Sequence, residues 1–408
     1  MQDSATPLDR GIIETLERLA ALERPPGSDG ERTAAEILAA EFAARGARVE
    51  VEEERVHGTY WVPIGIASGL AVAAAVAPEV LGRLKGRPAA WLRRAVASAG
   101  GALAGWLIAD DLEIGRRPLR RLLWHRVTRN VTAQFGPSDA RRDIFVHAHH
   151  DAARTGLIFH PAIAKLGARV AGPLIERVGG TPAPMWGAVA GPICVSIGGL
   201  FGLRALRLAG AAVSAGYAAA MIDIASRRAV PGANDNLSSV CVLLALARRF
   251  DESPPQNARV TLLSTGSEES FLEAMERFGE RHFAQLPRDT SVFLCIESVG
   301  SPELMPLSGE GLLRRIDYRP DLIATLSSLA AQSGVHLRDP FSYRLATDGQ
   351  VPQRAGYPTA VISSMDWYKA PSNYHWPSDQ PANLDLSSVA GAATLAGSFV
   401  MHLDRLAA

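Results

Sequence analysis

Side chains able to bind a metal or move a proton gather in five short segments of the sequence. His149 and Asp151 stand in HAHHD (147–151), Asp235 in PGANDN (231–236), and Glu268 and Glu269 in STGSEES (264–270). Glu297 stands in CIESVG (295–300) and His375 in NYHWPSD (373–379). A metal-binding imidazole needs its second ring nitrogen held by an acceptor, and a carboxylate two residues on can do this. His147 and His150 flank the same spot, so the spacing leaves open which imidazole binds. The adjacent Glu268 and Glu269 offer one ligand and one general base. Each segment alone has an ordinary reading: a polar loop, an N-cap or Asx turn at Asp235, or acids favoured by a helix dipole. For Glu297 that reading is a buried ion pair, and for His375 a surface imidazole. Together the segments supply His, Asp, Glu, Glu and His, with one spare carboxylate. That donor set suits zinc, and also manganese or cobalt. One bridging carboxylate with two ligands on each side makes a site for two ions ~3.5–4 Å apart.

The elements that must carry these groups can be read as well. The apolar runs 143–148, 259–264, 291–297 and 359–363 predict strands, as does the alternating stretch 47–55. Helical spacing predicts helices over 11–23, 31–45, 237–250, 270–283, 320–333 and 386–403. Short buried strands alternating with helices predict an α/β fold, a three-layer α/β/α sandwich with a mixed, largely parallel sheet. Such sheets place ligands beyond the C-terminal strand ends, and all five segments are expected there.

The ordered motifs His149-x-Asp151, GANDN with Asp235, Glu268-Glu269, Glu297 and Tyr374-His375 resemble metallopeptidase family 28. These are co-catalytic zinc exopeptidases of the aminopeptidase Y and bacterial leucyl aminopeptidase type. The resemblance covers residues 11–57 and 127–403. It implies that His149 and Glu297 bind one metal, Glu269 and His375 the other, and that Asp235 bridges both. It implies Glu268 as general base and Asp151 as the group orienting His149. The implied cofactors are two zinc ions (Zn2+), with Mn2+ or Co2+ as substitutes, and the implied substrate is a peptide losing its N-terminal residue. Glu297 stands where the family more often has Asp, and TDGQ (347–350) where many members have Ser-Asp-His. Two other activities are weighed: a glutaminyl-cyclase-like acyltransferase with one zinc, and a non-catalytic membrane-bound module of the same fold.

Two apolar blocks lie outside the resemblance. Gly58–Pro78 and Thr181–Leu203 hold 21 and 23 uncharged residues, enough to span a bilayer, whereas Ala95–Ala109 and Leu208–Ile222 hold 15 each. The blocks are read as helical hairpins inserted at 58–110 and 181–223 into a catalytic domain formed by 1–57, 111–180 and 224–408. They predict an integral membrane protein in contact with lipid. No signal-peptide pattern appears in residues 1–57, which tilts the expected side of the catalytic domain to the cytoplasm. Glycine pairs at 65/69, 101/105 and 198/202 have the spacing of closely packed membrane helices.

Composition narrows the rest. Of 408 residues, 42 are Lys or Arg and 42 are Asp or Glu, a balance that gives no reason to expect a nucleic-acid partner. The 47% apolar content rules out a wholly disordered chain. Three scattered cysteines exclude a disulfide framework and a thiolate zinc site. Nothing in the sequence sets the oligomeric state.

Overall fold

The computed structural model describes residues 8–83 and 86–408; Lys85, in the connection of the first hairpin (58–110), lies outside the described residues. Nine strands form one sheet: β1 (Arg48–Val56), β2 (Arg126–Phe135), β3 (Arg142–His149), β4 (Ala258–Thr265), β5 (Ser291–Glu297), β6 (Glu303–Glu310), β7 (Ile316–Asp317), β8 (Phe341–Ser342) and β9 (Thr359–Met365). Their order is β1-β2-β4-β3-β5-β9-β6-β7, with β8 paired to β6. The centre, β4-β3-β5-β9, is parallel. The flanking β1-β2, β2-β4, β9-β6 and β6-β7 pairs are antiparallel. The expected mixed α/β sandwich is therefore present, with β2, inside the sheet between β1 and β4, and β6 to β8 as strands beyond those predicted.

The helices are α1 (Arg10–Ala20), α2 (Asp29–Ala43), α3 (Trp61–Val80), α4 (Arg87–Leu112), α5 (Pro118–Leu122), α6 (Pro161–Val178), α7 (Trp186–Phe201), α8 (Arg204–Ser226), α9 (Ser238–Glu252), α10 (Glu273–His282), α11 (Pro320–Ser333), α12 (Gln350–Arg354) and α13 (Leu386–Arg405). Side-chain caps start α1, α2 and α13: Asp9 accepts from the Ile12 N–H, Ser28 from Glu31, and Asp385 from Ser387 and Ser388. On one face of the sheet, α1, α2, α9, α11 and α13 bury a single large core with Val131, Ile144, Val146, Leu294 and Ile362. On the other face α10 and α12 cover Phe145, Leu263 and Phe293. Strand β3 shows the alternation that divides them, with Ile144 and Val146 on the first face and Phe145 on the second.

The four apolar helices close into a four-helix bundle that forms a further layer of the molecule, α4 against α7, α7 against α8, and α3 against both α4 and α8. Gly101 permits the first contact, because a Cβ there would lie 2.6 Å from the Ser196 nitrogen. Gly69 and Gly202 do not act as packing glycines: a Cβ at Gly69 would meet open space, and Gly202 caps α7 in the left-handed region. The layer sits on the sandwich through Tyr60, Trp61, Ile108, Leu112, Met221 and Ile224. At its far end Arg207 pairs with Glu79 at 2.6 Å.

Two arms that look short as uncharged runs are long as helices. α4 has 26 residues and α8 has 23, because each helix continues through the charges that bound the apolar stretch. Among the described residues, three helices are by length and composition able to cross a membrane: α3, α8 and α13. α13 uses its apolar residues in the sandwich core. α6 differs from every other long helix, since none of its residues is buried. Its Ile163, Leu166, Val170, Leu174 and Val178 form an exposed apolar stripe.

Candidate metal centre

The seven candidate residues lie together at the C-terminal edge of the parallel strands, and all are buried. His149 ends β3 and Glu297 ends β5. Glu268 and Glu269 follow β4 in a short helical turn, and His375 lies in the loop after β9. Asp235 is the exception to the strand-end expectation. It comes from the segment between α8 and α9, with no strand before it. That segment is fixed instead by side chains: Asp379 accepts from the N–H groups of Asn234 (2.6 Å) and Asp235 (3.2 Å). The Asp235–Asn236 peptide bond is cis.

Left-handed backbone turns the chain at several of these points. Ser267, Ser298 and His375 each have φ near 50°, beside or within the site, where strained backbone is commonly tolerated because the surrounding structure fixes it.

Asp235 stands in the middle. Its Oδ1 lies 3.2 Å from Nε2 of His149, and its Oδ2 lies 3.1 Å from Nε2 of His375. The His149 nitrogen is also 3.7 Å from both Glu268 Oε2 and Glu297 Oε1. The His375 nitrogen is 3.3 Å from Glu269 Oε2. Asn236 donates to Glu297 Oε2 at 3.1 Å and Ser298 donates to its Oε1 at 3.0 Å.

The ambiguity among the three neighbouring imidazoles is resolved by position. His147 points beneath the sheet near Phe293, and burial alone lowers its pKa to about 3, so it is a neutral core group. His150 meets Ser264 Oγ at 2.9 Å. Only His149 of the three faces Asp235.

Electrostatics favour a cation here. Burial, reinforced by Glu269 and Glu297, pushes Glu268 well above the usual carboxylate range. Burial and Asp235 raise Glu269 to about 7, although His375 opposes them. For His375, burial acts downward, but Glu269 and Asp235 lift it to about 10. Four carboxylates in one buried pocket repel each other, and a divalent ion among them removes that penalty. The residues fit such an ion. Glu269 Oε1 is buried and has no hydrogen-bond partner among the described residues. One ligand atom each from His149, Asp235 and Glu269 lies within 4.8 Å of the others. Nitrogen and oxygen donors of this kind match zinc, manganese or cobalt.

Supporting residues escaped the sequence reading. Arg24 is fully buried, and its guanidinium donates to the carbonyls of His150 (2.9 Å), Pro231 (2.9 Å) and Leu19 (2.5 Å). It thereby ties the His149 loop to the Asp235 loop. Asp348 of TDGQ meets Thr265 beside the site, and its pKa is raised to about 7, chiefly by burial. A loop arginine after an amphipathic helix carries no local sign of this role. Asp379 stood inside a motif already singled out, and its spacing from His375 was the available signal.

Residues 218–400 match the sequence model of Peptidase family M28. No curated protein matches the chain. Among solved structures, a zinc aminopeptidase from Bacillus subtilis, BSAP, superposes with a TM-score of 0.55 at 14% identity, over 96% of this chain and 94% of that one. An aminopeptidase from Aneurinibacillus sp. strain AM-1 gives 0.52 at 14% identity, over 95% and 92%. Porphyromonas gingivalis glutaminyl cyclase gives 0.54 at 13% identity, over 98% and 99%. At these identities the likeness is one of fold.

Proposed function

We propose that this chain, joined to peptidase family M28 through residues 218–400, is a dinuclear zinc aminopeptidase held in a membrane by its four apolar helices. The observation that carries the reading is Asp235, whose two oxygens face different imidazoles at 3.2 and 3.1 Å. In this reading His149 and Glu297 hold one ion, Glu269 and His375 the other, and Asp235 both. Bound zinc supplies Lewis acidity toward a substrate carbonyl and toward water. Glu268, the carboxylate left without a ligand role, takes the proton of the attacking water on Oε2 and delivers it to the leaving amine as the C–N bond breaks. Its raised pKa suits a group that must both accept and release a proton. Asp151 positions His149.

The membrane part rests on the length and apolarity of α3 and α8 and on large exposed side chains such as Trp91, Trp106 and Phe201. Those helices, at 58–110 and 181–223, are insertions into the catalytic domain.

The test is a panel of aminoacyl anilides with the purified zinc-loaded protein. Removal of the N-terminal residue is expected, and acetylation of the α-amine abolishes it. Equal rates on free and acetylated peptides overturn the exopeptidase reading. A peptide with N-terminal glutamine separates the glutaminyl-cyclase alternative: cyclisation with ammonia release rather than loss of the residue supports the cyclase.

A further inference from the structure

A cavity of about 530 Å³ opens directly from the candidate metal centre and runs into the apolar helical layer. That volume lies within the range, about 300–1,000 Å³, of pockets that enclose a whole small molecule. Glu268, Glu269 and His375 form its polar end. Its long wall is α8, with Ala212, Gly216 and Ala220 lining it one turn apart. Their small side chains leave a groove along the helix. A Cβ added at Gly216 would meet nothing within 4 Å, so the space beside it is open. From Ala212 to Met221 the groove follows α8 for roughly 14 Å at 1.5 Å per residue. The remaining walls, including Phe159, Met185 and Leu345, are also apolar. At the polar end, buried Glu269 Oε1 has no hydrogen-bond partner among the described residues.

The shape and chemistry specify a substrate. The carboxylate end meets the bond to be cut, and the groove accepts something long, apolar and unbranched. We propose that the substrate is an amide bearing a linear aliphatic chain, with the chain lying along α8 while the amide reaches Glu268 and Glu269. This rests on the hydrolase reading given above and adds the substrate class to it. Water adds across the amide C–N bond, giving a carboxylate and an amine, and the chain leaves with one of them. The exposed rim residues Ile158 and Val213 place the mouth beside the apolar layer. A chain-bearing molecule dissolved in a bilayer reaches the site from there without crossing water.

Two measurements test this with the full-length protein in phosphatidylcholine nanodiscs. The first is kcat/KM for butyl, octyl and dodecyl amides of alanine, and for anilides of 2-amino acids with side chains of matching lengths. These arms tell whether the chain sits on the amine or the acyl side. In the arm whose chain lies along α8, kcat/KM is expected to rise about fourfold per methylene, corresponding to ~0.8 kcal/mol per buried CH2, while the other arm stays flat. Gly216→Leu flattens that dependence, whereas Gly69→Leu, which also points into open space but lies outside the cavity, leaves it intact. The second uses metal-free protein, so it does not depend on catalysis. Alanine dodecylamide carrying a terminal diazirine is photolysed, and labelled residues are mapped. Labels on Ala212, Gly216 and Ala220 support the proposal. Labels confined to the exposed Leu208 and Ile222 mean bulk lipid contact only and overturn it, as does a flat chain-length series in both arms from an active enzyme. Labelling of the groove by a protein that hydrolyses nothing overturns the hydrolase reading and leaves the groove assignment standing.

Discussion

Oδ1 of Asp151 lies 3.2 Å from Nδ1 of His149, on the opposite side of the ring from Asp235. The same carboxylate accepts the backbone N–H of Glu268 at 3.1 Å through Oδ1 and of Glu269 at 3.0 Å through Oδ2. One side chain thus sets the ring angle of His149 and fixes the turn that presents both glutamates. Asp151→Asn keeps the size but loses an acceptor oxygen. Zinc affinity is expected to fall about 10- to 100-fold, the usual effect of losing such a supporting group. Chelator competition measures it.

Asp235→Ala removes the group that faces both imidazoles. Elemental analysis is expected to find about two zinc ions per chain in the wild type, as a co-catalytic site requires. In the variant both are lost. Active wild-type protein devoid of metal would sink the dinuclear assignment.

Glu268→Gln leaves the ligand set intact. Metal content and fold are expected to be unchanged while kcat drops by a factor on the order of 10²–10⁴. Glu269→Gln instead weakens metal retention. Steady-state kinetics beside metal analysis of both variants distinguishes base from ligand.

Glu273 gives an acid-dependent stability term away from the metal centre. It is buried and pairs with Arg120 at 3.0 Å, and it accepts from the N–H groups of His57 (2.9 Å) and Gly58 (2.8 Å). Burial acts to raise its pKa, but Arg120 and Arg117 win and lower it from 4.5 to about 2. A folded pKa below the unfolded one stabilises the native state above pH 4.5, and that stability is lost as pH falls toward about 2. Glu273→Gln is less stable at neutral pH. The gap from wild type, read by denaturant unfolding, closes across that window.

Membrane residence is tested by fractionation. The protein is expected to stay in the pellet after an alkaline carbonate wash and to require detergent for release. Monodisperse protein recovered from the soluble fraction without detergent makes the four apolar helices an ordinary buried subdomain.

The candidate site was legible in the sequence where a polar residue interrupts an apolar run. His149 and Glu297 each close an apolar strand run, so their chemistry stood out. Asp235 stood out before α9, but the supports that hold it were not visible. Arg24 and Asp379 act across more than a hundred residues of sequence; Arg24 shows no local pattern, and Asp379 is marked only by its place in the His375 motif. The length of α4 was hidden for a different reason. Arg93, Arg94, Asp110 and Asp111 look like boundaries in a linear scan, yet they are turns of one helix. The stripe on α6 is masked in the sequence because its four-residue spacing lies among Gly, Ala and Pro.

The position of the apolar helices in the chain bears on how the molecule is made. α3, α4, α7 and α8 all lie N-terminal to Asp235, Glu268, Glu269, Glu297 and His375. Synthesis proceeds from the N-terminus at about 5–20 residues per second. The helices that wall the cavity therefore leave the ribosome before Glu268, Glu269 and His375, which form its polar end. In the membrane-bound reading, the growing chain is already anchored when β4, β5 and β9 add to β3. Assembly of the centre then becomes a folding event at the bilayer surface, on a tether, with the hydrophobic wall waiting for the carboxylates.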